Sequence, residues 1–248
     1  MNETRNPPDS DLDKLTRLKA LSWLSISELG LLSRMLTFAT FKRPQIIFRE
    51  AALAADAHIL LKGIARITCQ NVRGEPVTIA LLPPGPIPEF PLLPFGRFGF
   101  RCEAYDDCRV GSLSWSTFEG ISAHRSESAF KTFHQNDLQQ CYRMLLRSSS
   151  FLDLDLHERI AITLLELASD FGIKESRGTL LKASFSHQDI ADLVGASRPR
   201  VTEHLAQLER EHLIIRQGRQ LIVRVDKLVG IERTAIRHDD DASAKMVS

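Results

Sequence analysis

The sequence predicts an α+β chain in three stretches: an antiparallel β unit, a long helix, and a small C-terminal unit of two short helices and a β hairpin. Three observations carry this. From Ala39 to about Phe118, short apolar or alternating runs are broken by turn residues, the pattern of an antiparallel sandwich or barrel. From Trp115 the pattern turns helical for more than a helix of ordinary length. From Ser186 onward, two helical segments flank a glycine, and two apolar runs follow around Gln217-Gly218.

The chain has 248 residues, with 32 lysines and arginines against 31 aspartates and glutamates, for a net charge of +1. No global basic field points to a polyanion, so any such function has to be local. The cysteines Cys69, Cys102, Cys108 and Cys141 form no C-x-x-C pair, and the polar start MNETRNPPDSDLDK has no apolar run behind it. The chain is therefore read as a reduced, cytoplasmic protein without signal peptide or membrane span, and no membrane partner is expected. No phosphate loop, H-E-x-x-H or G-x-S-x-G occurs and the histidines are scattered, so an enzyme is not expected.

In chain order, residues 1–14 are polar and proline-bearing and are expected to be disordered, as is the tail 235–248. Residues 15–125 form the β unit. Leu15 to Leu36, with SELGLLSRML, reads as a helical entry. The runs PQIIFRE, AHILLKG, IARITCQ, NVRGEPVTIALL and CRVGSLS then read as strands, with turns at Lys62-Gly63 and Arg73-Gly74. Residues 126–154 form the long helix. In it Leu138, Cys141, Leu145, Ser148 and Leu152 recur at alternating spacings of three and four, the seam of a two-helix dimer interface. The same spacing also fits packing onto the β unit. Residues 155–234 form the last unit, opening with an amphipathic helix from Leu156 to Phe171 that Gly172 closes.

In that unit Ser186-His187-Gln188-Asp189 is a capping box. The helix it starts places Ile190, Leu193 and Val194 on one face and stops at Gly195, suited to a left-handed turn. Ser197 then caps a second helix whose first positions are Arg198 and Pro199 and whose core face is Val201, Leu205 and Leu208. This is a helix-turn-helix, and LIIRQGRQLIVRV adds a wing with Arg216, Arg219 and Arg224. Arginines at 198 and 200 sit where the helix macrodipole disfavours cations. Phosphates and guanine acceptors in a major groove would reverse that preference.

The stretch FSHQDIADLVGASRPRVTEHLAQLEREHLI resembles the winged helix-turn-helix of the cyclic-AMP receptor protein/fumarate-nitrate regulator (CRP/FNR) superfamily. IIFREAALAADAHILLKGIARI resembles the start of that family's cyclic-nucleotide-binding β-roll, and NVRGEPVTIALLPPGPIPEF the hairpin entering its effector loop. The long helix corresponds to the family's dimerisation helix, so the likeness runs from about residue 15 to about residue 230. It implies a homodimeric transcription regulator bound to double-stranded DNA at an inverted-repeat operator, with RNA polymerase as a further partner. Ser186, His187 and Gln188 match positions that contact phosphates. Ser197, Arg198, Pro199, Arg200 and Glu203 match the recognition surface, to which Thr202 and the wing residue Arg219 are added. Well-known members have glutamate at the position of Pro199 and arginine near that of Glu203, so the common family half-site is not expected. Arg198 is the expected base reader and Arg200 the phosphate-facing cation.

The effector loop PGPIPEFPLLPFGRFGFRCEA departs further from the family pattern. Glu89 stands at the position of the ribose-binding glutamate, but Pro88 replaces a glycine and no Arg-Ser or Arg-Thr pair follows. Pro88, Glu89, Phe90, Arg97 and Arg101 are the candidate effector-pocket residues, with either arginine needing a register shift to serve. Cyclic nucleotide is not expected, and neither a metal nor another cofactor is assigned. Phe90, Phe95, Phe98 and Phe100 either line a pocket for an apolar ligand or fill the cavity of a regulator active without one. Cys102 and Cys108 could pair, or ligate haem with His124, though isolated strand cysteines are usually small hydrophobes. A redox-gated sensor and a β-roll signalling module with a vestigial DNA-binding domain both stay open.

Overall fold

The structure is a computed structural model that describes residues 9–49, 56–70, 73–88, 101–114, 116–117 and 154–230. The seam Leu138, Cys141, Leu145, Ser148 and Leu152 lies outside the described residues. So do Glu89, Phe90, Phe95, Arg97, Phe98, Phe100 and His124. The chain divides into two compact units, residues 1–144 and 145–248.

The first unit opens with α1 (Asp9–Thr16), a 3-10 turn (Lys19–Leu21) and α2 (Ile26–Met35). Among the described residues eight strands follow: β1 (Thr37–Phe41), β2 (Ile46–Arg49), β3 (Asp56–Lys62), β4 (Ala65–Gln70), β5 (Pro76–Leu82), β6 (Gly85–Pro86), β7 (Arg101–Ala104) and β8 (Cys108–Ser114). They form two antiparallel sheets, ordered β1-β8-β3-β6 and β2-β7-β4-β5.

The apolar run in AHILLKG follows from the position of β3. Ala57, Ile59 and Leu61 join a cluster with Leu15, Leu21, Leu29 and Leu32 of the helical entry. Leu60 joins a second cluster, with Ile67, Leu82, Cys102 and Val110. A strand covered on both faces loses the polar alternation of a half-buried one. Gly63 carries the turn after β3 at φ 92°, where a Cβ would meet the Asp107 carbonyl at 2.5 Å. The neighbouring amide of Ile64 donates to Asp106 Oδ1 at 2.6 Å.

The expectation of disorder over residues 1–14 fails from Asp9 onward, where α1 begins. The Asp11 side chain is 1% exposed. It accepts from Arg109 Nη2 on β8 at 2.8 Å and from Lys14 Nζ at 2.9 Å. Burial pushes its carboxyl up, but the bonds and charges of Arg109 and Lys14 outweigh that and hold it below 3.8. The start of α1 is held both by this acid, paired with an arginine far along the chain, and by Leu12 and Leu15, which pack into the cluster with β3.

The second unit begins with α3 (Leu156–Phe171), capped by a reciprocal Asp155–Glu158 box and burying Ile160, Leu164, Leu167 and Phe171. β9 (Gly172–Glu175) and β10 (Gly178–Leu181) follow, a hairpin that the sequence reading did not anticipate. Gly172 does close the helix, but in extended backbone. Its reason is close approach, since a Cβ would lie 2.2 Å from both the Ala168 carbonyl oxygen and Thr179 Cγ2. Next come α4 (His187–Val194), α5 (Arg198–Arg210), β11 (Ile214–Gln217) and β12 (Gln220–Val223). The four strands make one antiparallel sheet, ordered β11-β12-β10-β9. The core joins Ile160 and Leu164 of α3, Ile190 and Leu193 of α4, Val201, Leu205 and Leu208 of α5, and Ile222 of β12, all under 2% exposed.

Candidate nucleic-acid interface

The site is built from the ends of α4 and α5. Ser186 starts α4 in extended backbone, its amide donating to Asp189 Oδ2 at 2.7 Å and its Oγ accepting from the Asp189 amide at 3.2 Å. The Ser186 hydroxyl also donates to Asp189 Oδ2 at 2.5 Å, so this side chain serves the box first. Gly195 ends the helix at φ 61°, ψ 43°, with the amides of Gly195 and Ala196 both donating to the Ala191 carbonyl. Arg159 of α3 adds a cation at that helix end, its Nη1 donating to the Val194 carbonyl at 3.1 Å. The turn between the helices is thus fixed at both sides.

Ser197 is the N-cap of α5, as expected, but its hydroxyl makes no capping bond. Pro199 at the second helical position has no N–H to offer it. The first turn therefore exposes an unspent hydroxyl, free helix-end amides and two arginines. Arg198, Pro199, Arg200, Thr202 and Glu203 are all exposed, while Val201, Leu205 and Leu208 are buried. Among the described residues, the guanidinium groups of Arg198 and Arg200 and the carboxylate of Glu203 have no hydrogen-bond or ion-pair partner. Two unneutralised cations at a helix N-terminus disfavour the helix by about 0.3–1 kcal/mol each, and nothing among the described residues accounts for them.

The structure brings His187 and Thr202 together and shows what several of the other sequence-selected residues are doing. Gln188 Nε2 donates to Asp192 Oδ1 at 2.7 Å, along its own helix. Arg219 sits exposed in the two-residue turn of the β11–β12 wing, beside Gly218 at φ 59°. His187 Nδ1 lies 2.8 Å from Thr202 Oγ1, and its Nε2 lies 3.4 Å from Arg216 Nη1. Burial first, then the charges of Arg216 and Arg198, push the His187 imidazole below 6.5. Arg216 is also 3.6 Å from Glu209 on α5. Sequence reasoning missed this His187–Thr202–Arg216 link, and it missed Arg177, which ties the β9–β10 turn to the wing by donating to Gln217 Oε1 at 2.6 Å. The Arg177-Gly178 pair between two short runs was the available signal for that hairpin.

In the first unit, Pro88 is buried, and Arg101 is held by Glu103 at 3.7 Å and Thr68 at 3.5 Å. Cys102 and Cys108 lie in the same apolar cluster and are not joined in a disulfide. The Cys108 thiol donates to the Ile64 carbonyl at 3.1 Å, and burial followed by the charge of Asp106 pushes it up to about 11. Among the described residues no group of three or more histidines, cysteines or acids is placed to hold a metal ion. No helix among them is long and apolar enough to cross a membrane.

A capped helix, a left-handed glycine turn, a second helix with a basic exposed start and a β wing define a winged helix-turn-helix DNA-binding protein. Residues 158–231 match the family described as the Crp-like helix-turn-helix domain. The chain is 27% identical over 184 residues to a global nitrogen regulator of Synechocystis sp., covering 71% of this chain and 79% of that one. It is 24% identical over 214 residues to a CRP-like cAMP-activated global transcriptional regulator of Mycobacterium tuberculosis, covering 84% and 93%. The solved structure of a CRP-family transcriptional regulator from Thermus thermophilus matches with a TM-score of 0.58 at 25% identity, covering 79% of this chain and 96% of that chain. The chain carries a Crp-like helix-turn-helix domain and is similar over most of its length to transcription regulators of the CRP/FNR superfamily.

Proposed function

We propose that this regulator acts in the cytoplasm as a homodimer on a two-fold symmetric operator, reading bases through Arg198 and holding phosphates through Arg200 and Arg219. One observation carries the reading. The first turn of α5 exposes two arginines without protein partners among the described residues, beside a cap hydroxyl that makes no capping bond. A major groove supplies what that turn lacks, guanine O6 and N7 for Arg198 and backbone phosphate for the helix end and Arg200. Glu203, one turn on and equally unpaired, suits a cytosine amino group.

Dimerisation is assigned to the long helix that the sequence predicts over residues 126–154, through Leu138, Cys141, Leu145, Ser148 and Leu152. Its two recognition helices then enter successive major grooves about one helical turn apart. RNA polymerase is the further partner. DNA binding is independent of cyclic AMP in this reading. Pro88 occupies the position of a phosphate-cradling glycine, and Arg101 is already engaged by Glu103 and Thr68. The test is fluorescence anisotropy of the ligand-free protein on fragments it selects from genomic DNA, at fixed salt, with and without cyclic AMP. Tight selective binding that cyclic AMP leaves unchanged is expected. Selective binding that appears only with the nucleotide overturns the effector part of the reading.

A further inference from the structure

His187 joins three elements whose residues are distant in sequence: α4, which it begins, α5 through Thr202, and the wing strand β11 through Arg216. The hydrogens of this link can be assigned by elimination. The Thr202 hydroxyl has one hydrogen, which it gives to the Arg198 carbonyl at 2.9 Å. Arg216 Nη1, 3.4 Å from Nε2, can only donate, so in the neutral ring Nε2 accepts, Nδ1 carries the proton, and the Thr202 oxygen at 2.8 Å accepts from it. Both ring nitrogens are spent in the neutral form, and a proton on Nε2 would set one N–H against another.

We propose that His187 is a positioning residue whose neutral, Nδ1-protonated ring locks the wing arginine Arg216 to the start of the recognition helix, so that selectivity for the operator is lost when the ring gains a proton. This rests on the DNA-binding reading above, and it departs from the phosphate contact that the family resemblance implies at this position. A neutral ring with both nitrogens occupied has no N–H left for a phosphate.

The charged groups around the ring agree. Arg198 faces it from α5 and Arg216 from β11, while Glu209 of α5 lies 3.6 Å from Arg216. Asp189, two residues on in α4, is committed to the Ser186 cap. The local field is thus that of two cations, which resist a third. Protonation releases Arg216 from the ring and leaves Thr202 as the only tie.

Two measurements test the proposal. Nitrogen-15 imidazole spectra of the free protein at about pH 8 give the tautomer directly, with the proton expected on Nδ1. Arg216→Ala is expected to raise the pH at which His187 titrates. Anisotropy from about pH 8 to about pH 5, at constant ionic strength, then compares a fragment selected by the wild-type protein with a random duplex of equal length. The ratio of the two affinities is expected to fall at least about threefold for the wild type as pH drops. It stays flat in His187→Asn, which keeps a donor for Thr202 and cannot ionise. Arg216→Ala removes the same pH dependence. A proton on Nε2 overturns the proposal, as does a ratio that rises with falling pH, the mark of a phosphate contact by the imidazolium. Wild-type protein that prefers neither DNA at any pH, with the tautomer as assigned, overturns the DNA-binding reading instead.

Discussion

Replacing Arg198 by alanine separates what this residue does for the fold from what it does for DNA. In the folded protein its guanidinium meets no partner among the described residues, and it stands at the first position of α5, against the helix dipole. Removing it relieves an unfavourable term of about 0.3–1 kcal/mol, and alanine adds a small propensity gain. For a chain of this size that raises Tm by roughly 1–4 °C. On DNA the same change removes a bidentate guanine contact, worth about 1–3 kcal/mol, or roughly fivefold to 150-fold in affinity. Differential scanning fluorimetry and anisotropy on one preparation read both quantities. The expected signature is a more stable protein that binds its selected site less tightly and tolerates substitutions at one base position. A lower Tm, or equal losses on selected and random DNA, would refute the reasoning, because either would make Arg198 a structural or nonspecific residue.

Arg200→Ala should weaken selected and random DNA alike and reduce the slope of log affinity against log salt by about 1, as one fewer phosphate is neutralised. Ser186→Ala removes the capping box of α4 and should cost about 1 kcal/mol of stability, read by denaturant titration. Arg109→Met leaves the Asp11 carboxylate buried with Lys14 alone and should cost about 3–5 kcal/mol. Because the native carboxyl of Asp11 titrates below 3.8, its contribution is fully present above that pH and is lost as pH falls through the lower native value. The wild-type acid unfolding curve should therefore steepen there, and that of Arg109→Met should not. His187 works with the opposite proton but the same direction in pH. Its neutral form is favoured by folding, so its contribution is complete above 6.5 and declines as pH falls through the depressed native value.

The recognition unit was legible because its signals are local. Ser186 and Asp189 are three residues apart, Gly195 is the one residue type suited to its backbone, and Pro199 marks a helix start. β3 was legible for a similar reason, as an apolar run ended by the Lys62-Gly63 turn. What escaped the reading depends on partners far along the chain. The order of α1 rests in part on Asp11 meeting Arg109, and the link through His187 comes from residues 187, 202 and 216 converging. The β9–β10 hairpin is short, and it joins the sheet only through the pairing of β10 with β12. Ser197 shows the limit of a local rule. It occupies the cap position its residue type prefers, yet makes no cap bond, beside a proline that removed one of the two amides it would have bound.

The central claim is that two copies of this chain present the first turn of α5 to two half-sites. Selection of bound duplexes from a random library by the purified protein, followed by sequencing, tests it most directly. The account predicts an enriched inverted repeat whose half-sites lie about one helical turn apart, and that Arg198→Ala relaxes the same base in both halves. Enrichment of a single unpaired half-site, or of no sequence at all, would contradict it.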